Sequence, residues 1–205
     1  MAKKLKYDFH NTGNSLDKAI VAIHGWKGDR NSMRSLIKSM NIENAGWYLL
    51  EAPYPVQGCD GWSWTYEISK GKWEINEPKR LLGDFFSKLF KTQTSTNVYV
   101  LGFSQGGLVC FDFVLFLDQP LGGVFPIAGF LRQPKINIER FHPCQHNTPI
   151  LIGHGKDDDK VPVKASENAH MLLKEQGANV ELLLYNGKHK IDMHYMKKMR
   201  EMIQL

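Results

Sequence analysis

This chain has few cysteines, no long apolar run and no low-complexity tract, and each shortage removes a class of protein. Cys59, Cys110 and Cys144 are the three cysteines in 205 residues, an odd set without the dense pairing of a disulfide scaffold. Reduced thiols and a cytoplasmic location are therefore expected. No segment approaches the roughly 20 apolar residues that a membrane-spanning helix needs, so no stable membrane insertion is expected. The basic start, Met1-Ala2-Lys3-Lys4-Leu5-Lys6, has no apolar stretch behind it and does not read as a secretory signal. Linker-like runs and internal repeats are missing too, so residues 1–205 are expected to form one domain.

What is present supports a packed core. Hydrophobic residues make up 42% of the chain, enough at this length to bury a sizeable interior. The formal net charge is +5, but the basic residues cluster only at Lys3-Lys4-Lys6, Lys188-Lys190 and Lys197-Lys198-Arg200. Scattered lysines of this kind are ordinary solvated surface, and no nucleic-acid partner is expected.

Apolar periodicity predicts strands at Leu5–Phe9, Ala19–Ile23, Trp47–Leu50, Val98–Phe103, Gly122–Ala128, Ile150–His154 and Val180–Tyr185. It predicts helices at Asn31–Met40, Asn76–Phe90, Gln105–Leu117, Val163–Gln176 and Ile191–Ile203. Strands alternating with helices imply an α/β fold, a mostly parallel sheet with helices on both faces. In the helix from Asn76, Asn76 is expected to cap, Pro78 suits the first turn, and Leu81, Leu82, Phe85, Phe86 and Leu89 share one face.

The most informative stretch is Gly102-Phe103-Ser104-Gln105-Gly106-Gly107, set between a buried strand and a buried helix. A serine between two glycines at a strand-to-helix junction is the nucleophile elbow of α/β-hydrolases. The turn is tight enough that side chains at Gly102 and Gly106 would collide with backbone, and the serine is held strained with its hydroxyl exposed. In that fold the acid and then the base follow the serine along the chain. Asp157, Asp158 and Asp159 lie on the loop leaving the strand that ends at His154, and position alone does not separate them. Of the later histidines, His170 falls inside a helix and His194 one turn into the last one. His189 sits on the loop after a core strand, where an imidazole can be aimed at Ser104.

The chain resembles the carboxylesterase, lysophospholipase and acyl-protein thioesterase family of compact α/β-hydrolases. The resemblance rests on Gly102-Phe103-Ser104-Gln105-Gly106-Gly107, on His154-Gly155-Lys156-Asp157-Asp158-Asp159-Lys160-Val161-Pro162, and on His24-Gly25 after the strand Ala19–Ile23. It implies an α/β-hydrolase fold with a minimal cap, and it places the acid at Asp158. The family's final Gly-x-x-His is one residue shorter here, Gly187-Lys188-His189, and the base stays at His189. The resemblance further implies an oxyanion hole from the backbone amides of Trp26 and Gln105. The family commonly carries leucine at the position of Trp26.

The expected activity is hydrolysis of short- to medium-chain carboxylic esters by a Ser104–His189–Asp158 triad through an acyl-enzyme, with no cofactor and no metal. Thioester or lysophospholipid cleavage is the alternative within that chemistry. A non-catalytic ligand-binding relative is the alternative of a different class. The long aromatic stretch between Pro53 and Trp73 suggests Trp62, Trp64 and Tyr66 as walls for a small-molecule acyl substrate, and family position adds Phe130. His24 is expected to brace its loop. His142-Pro143-Cys144-Gln145-His146 offers three soft ligands without an evident fourth.

Overall fold

The computed structural model describes residues 3–132 and 142–204. Its strands are β1 Lys6–Asn11, β2 Lys18–Ile23, β3 Ala45–Glu51, β4 Tyr54–Pro55, β5 Trp62–Ser63, β6 Tyr66–Ser69, β7 Lys72–Glu74, β8 Val98–Phe103, β9 Gly123–Ile127, β10 Ile150–Gly155 and β11 Val180–Tyr185. Its α-helices are α1 Ser35–Met40, α2 Asn76–Leu89, α3 Gln105–Asp112, α4 Val163–Glu175 and α5 Met193–Gln204. Among the described residues seven strands make one sheet in the order β1-β3-β2-β8-β9-β10-β11. Only the β1–β3 pair in it is antiparallel.

The central strands are unbroken apolar runs because both of their faces are covered. Side chains alternate across the sheet, so β2 sends Ala19, Val21 and Ile23 to one face and Ile20 and Ala22 to the other. The first face packs against Leu82 and Phe86 of α2, Val109 and Phe111 of α3, and Ala169 and Leu173 of α4. The second packs against Leu36 and Met40 of α1 and Tyr195, Met199 and Ile203 of α5. Burying one such large apolar side chain contributes about 1.5–3 kcal/mol, which is why these helices hold their places. No helix among the described residues is long and apolar enough to cross a membrane.

Several boundaries depart from the sequence expectation, each for a local reason. The helix expected over Asn31–Met40 is a 3-10 turn, Arg30–Met33, followed by α1. Asp29 accepts from the amides of Asn31 and Ser32, and the Ser32 hydroxyl accepts from the Asp29 amide, a capping box that tightens this turn. The helix expected to run to Leu117 stops at Asp112, and Val114–Phe116 forms a separate 3-10 turn. A stretch apolar all round carries no periodicity to mark its end. Asn76 lies inside α2 and does not cap it. Glu74 Oε1 does that work, accepting from the amides of Asn76 at 2.9 Å and Glu77 at 3.0 Å. The last helix starts at Met193, where Asp192 Oδ1 accepts from the His194 amide at 2.8 Å.

Candidate active site

The loops leaving β2, β8, β10 and β11 meet at one edge of the sheet, the edge at which open parallel sheets carry their ligands. At the end of β8, Ser104 sits at φ 55° and ψ −112°, a left-handed-side conformation that costs a non-glycine residue on the order of 1–3 kcal/mol. The Ser104 amide donates to Ile127 O at 2.8 Å, and Ser104 O accepts from the Leu108 amide at 3.1 Å, which holds the turn. A Cβ at Gly102 would strike the Gly106 carbonyl, and one at Gly106 would strike the carbonyl of Ile23. The elbow therefore lies directly on the end of β2. Gly25 also packs against the elbow, since a Cβ there would stand 3.2 Å from Ser104 Cβ.

Asp158 lies in the loop between β10 and α4 with its side chain fully shielded from solvent. Its Oδ2 stands 2.7 Å from His189 Nδ1, and its Oδ1 accepts from the amides of Lys160 at 2.8 Å and Val161 at 2.9 Å. Burial alone pushes this carboxyl up, but the hydrogen bonds from His189, Val161 and Lys160 outweigh it and hold Asp158 below the ordinary carboxylate range. Asp157 and Asp159 are exposed, and Asp159 pairs with Lys160 at 3.6 Å. His189 is 18% exposed, and its ring packs on Phe103, centroids 4.8 Å apart, next to Ser104 in the chain. His170 is half-buried in α4 and His194 is exposed on α5.

Across the site, His24 is completely buried. Its Nδ1 donates to Gly25 O at 2.7 Å and its Nε2 accepts from the Ala52 amide at 3.1 Å, so the ring is neutral. Burial drives its pKa down. The turn it braces is tied to β5 by Lys27 N to Trp62 O at 3.0 Å and Trp62 N to Gly28 O at 2.9 Å. Among the described residues, neither the Trp26 nor the Gln105 amide donates to a protein acceptor. The Gln105 side chain is buried and spans to the 63–65 segment. Its Oε1 accepts from the Trp64 amide at 2.9 Å, and its Nε2 donates to Ser63 Oγ at 3.0 Å.

Ser104 and His189 open on a cleft of about 1140 Å³ whose aromatic walls are Trp26, Tyr54, Tyr66, Trp73 and Phe130. Trp62 and Trp64, expected as walls, are not among them. Extended backbone alternates its side chains, and here Ser63 and Thr65 face the cleft, so both tryptophans point away. Trp64 is 2% exposed in the core and donates its indole N–H to His24 O at 3.0 Å. Trp62 is half-buried under Lys6, whose Nζ stands 5.2 Å from the ring centre. Tyr54 and Trp73 were not singled out in the sequence, although both lie in the same aromatic stretch. Tyr54 meets Tyr66 at a right angle with centroids 4.8 Å apart, and Arg132 stacks on Trp73 at 5.0 Å. Burial, reinforced by Glu74, pushes the Tyr54 phenol upward.

Pro143–Asn147 is a 3-10 turn capped by His142. His142 Nδ1 stands 3.1 Å from Cys144 Sγ, and His146 bridges Pro143 O and Gln176 O at 2.7 and 2.8 Å. No group of three potential metal ligands occurs among the described residues.

Residues 15–205 match a family model described as Phospholipase/Carboxylesterase. Carboxylesterase SOBER1 of Arabidopsis thaliana is 27% identical over 185 residues, covering 82% of this chain and 81% of that protein. Its crystal structure superposes with a TM-score of 0.78 at 26% identity, covering 91% and 97% of the two chains. Acyl-protein thioesterase 1 of Gibberella zeae is 29% identical over 121 residues, 56% of this chain and 52% of that one. The crystal structure of esterase PE8 shares the fold, with a TM-score of 0.86 at 20% identity over 98% and 99% of the chains.

Proposed function

Because the chain belongs to the phospholipase/carboxylesterase family of α/β-hydrolases, we propose that it is a serine hydrolase that cleaves carboxylic esters with Ser104, His189 and Asp158. The observation that carries the reading is the meeting, at one cleft, of a strained serine on an elbow and an imidazole held by a shielded carboxylate at 2.7 Å. Those are the parts that nucleophilic acyl transfer requires.

His189 Nε2 takes the hydroxyl proton as Ser104 Oγ adds to the acyl carbon. Asp158 accepts from Nδ1–H, which fixes the tautomer and stabilises the imidazolium. The tetrahedral oxyanion is received by the amides of Trp26 and Gln105, and one such donor is worth about 2.7–4 kcal/mol in the transition state. The imidazolium returns its proton to the departing alcohol. Water, deprotonated in turn by His189, then attacks the acyl-enzyme and releases the acid and Ser104. The residues present account for each of these proton transfers.

Small-molecule esters of short- to medium-chain acids are the substrates we assign, in the cleft between Tyr66, Trp73 and Phe130. Thioester cleavage is the second reading, supported by the likeness to an acyl-protein thioesterase. It differs only in the leaving group. A cytoplasmic setting fits Cys59, Cys110 and Cys144, all free thiols. The test is a panel of p-nitrophenyl esters of increasing acyl length, run beside a serine-directed phosphonate probe on the wild type and Ser104→Ala. Turnover and labelling, both lost in Ser104→Ala while its fold is retained, are expected. Undiminished hydrolysis by Ser104→Ala would sink the assignment, and absence of both signals in the wild type would favour a ligand-binding protein.

A further inference from the structure

The loop that carries His189 is fastened at both ends by groups outside the cleft. β10 and β11 pair Gly155 with Tyr185, and the ladder runs on past both strands. The Lys156 amide donates to Tyr185 O at 2.9 Å and the Asp157 amide to Gly187 O at 3.0 Å, which ties the start of the base loop to the loop bearing Asp158. A Cβ at Gly155 would strike the carbonyls of Gly187 and Lys188, so the base loop lies directly on that residue. His189 then sits at the centre of a γ-turn, closed by the Lys190 amide donating to Lys188 O at 2.9 Å. One hydrogen bond does not offset the entropy of fixing three residues, so the turn needs a second fastening. Tyr185, the last residue of β11, supplies it: the phenol donates to Lys190 O at 2.6 Å, five residues along the chain.

We propose that Tyr185 is a positioning residue of the reaction: its phenol clasps Lys190 O and so fixes the turn that aims His189 at Ser104. The proposal rests on the catalytic reading of Ser104, His189 and Asp158. Asp158 holds the imidazole at Nδ1 and Phe103 lies against its ring, but neither contact fixes the backbone from which the ring hangs. The phenol does. Tyr185 is 5% exposed, and its ring packs beside that of Tyr195 with centroids 6.1 Å apart, so the hydroxyl is presented from a rigid part of the core. Burial, reinforced by Asp192 and Asp158, pushes its pKa upward, which keeps the donor proton in place. His189 acts in both formation and hydrolysis of the acyl-enzyme, so a looser turn slows both steps.

The experiment compares Tyr185→Phe with Tyr195→Phe in p-nitrophenyl ester turnover and thermal melts. Tyr195 is a matched control, because its phenol also donates to a backbone carbonyl at 2.6 Å, that of Leu151, from a fully buried ring away from the cleft. Each substitution keeps the ring and removes one hydroxyl, and both variants are expected to melt a few degrees early, at about 2–4 °C per kcal/mol. In Tyr185→Phe, kcat is expected to fall about tenfold, the worth of one hydrogen bond, with KM within about twofold of wild type. In Tyr195→Phe both constants are expected to stay within about twofold, since a merely structural bond does not move kcat below the melt. If Tyr185→Phe does not fold, Lys190→Pro serves in its place. It removes the amide that closes the γ-turn, and the same loss of kcat is expected.

An unchanged kcat in Tyr185→Phe, or in folded Lys190→Pro where that variant stands in, overturns the proposal, as do equal losses of kcat in the two tyrosine variants. Failure of the underlying reading looks different, because the wild type then shows neither turnover nor phosphonate labelling. The low-field proton NMR resonance of the His189–Asp158 bond needs no turnover. It is expected to broaden through faster exchange with water in Tyr185→Phe and not in Tyr195→Phe. A resonance in Tyr185→Phe identical to the wild type overturns the proposal independently.

Discussion

Gln105 is expected to serve two purposes that one substitution separates. Its backbone amide starts α3 beside Ser104, and its side chain holds the 63–65 segment against the elbow. Gln105→Met keeps the amide, the length and the helix propensity, and removes the side-chain hydrogen bonds. It leaves the Trp64 N–H, previously 2.9 Å from Oε1, without its acceptor, and Ser63 Oγ without the donor at 3.0 Å. Trp64 is 2% exposed and Ser63 5%, so water cannot replace the lost partners without a rearrangement. An unsatisfied buried group costs roughly 1–3 kcal/mol, so the pair should cost about 2–3 kcal/mol after partial relaxation. At about 2–4 °C per kcal/mol for a chain of this size, the melting midpoint should drop by roughly 5–10 °C. The assay pairs a calorimetric melt with p-nitrophenyl acetate turnover well below the transition. Turnover is expected to stay within about tenfold of wild type, since a lost oxyanion donor would cost 10²–10³. A melt unchanged within error refutes the reasoning about the pin. A thousandfold loss of turnover in a folded variant refutes the division between side chain and amide.

Further outcomes follow from the cleft, the buried histidine and the helix cap. Tyr66→Ala and Trp73→Ala should raise KM and change the acyl-length preference in the p-nitrophenyl panel. Trp62→Ala should leave both unchanged, because its ring lies under Lys6 on the far side. His24 is held neutral by burial, so its folded pKa lies below the unfolded value of about 6.5. The unfolded chain then binds the extra proton first, and stability should begin to fall as pH drops below about 6.5, which His24→Gln should flatten in melts between pH 7 and 5. Asp158 acts in a separate window. Its depressed carboxyl contributes stability above about pH 4 that is lost only on stronger acidification. Glu74→Ala should cost about 1 kcal/mol by uncapping α2, and Asn76→Ala much less, as read from urea unfolding.

The core strands were legible because parallel strands buried on both faces are written as unbroken apolar runs, as at Ala19–Ile23 and Val98–Leu101. The same continuity hid the end of α3. An all-apolar helix does not signal where it stops, and Phe113 departs from helical geometry at φ −137° without a sequence marker. In the aromatic stretch, alternation supplied a period but not a phase. The phase is set by a long-range bridge between Gly28 and Trp62, which turns Ser63 and Thr65 into the cleft and both tryptophans out of it. Position left Asp157, Asp158 and Asp159 equivalent, and family likeness singled out Asp158. In the fold that choice coincides with the side chain that is fully shielded and meets His189. The surroundings of the buried His154 were invisible for another reason. Its Nε2 donates to Val161 O and comes within 3.2 Å of Asp158 Oδ2 only because the loop doubles back through Lys160 and Val161.

The β6–β7 hairpin ends in residues that touch little besides the cleft and each other, while its root at Ser63–Thr65 is bolted to the elbow through Gln105. A part anchored at one end and idle at the other can be lengthened, shortened or exchanged without retuning the machine that holds it. Exchanging residues 67–73 should therefore change which substrates fit, while Glu74 keeps its cap on α2 and the elbow is left as it is.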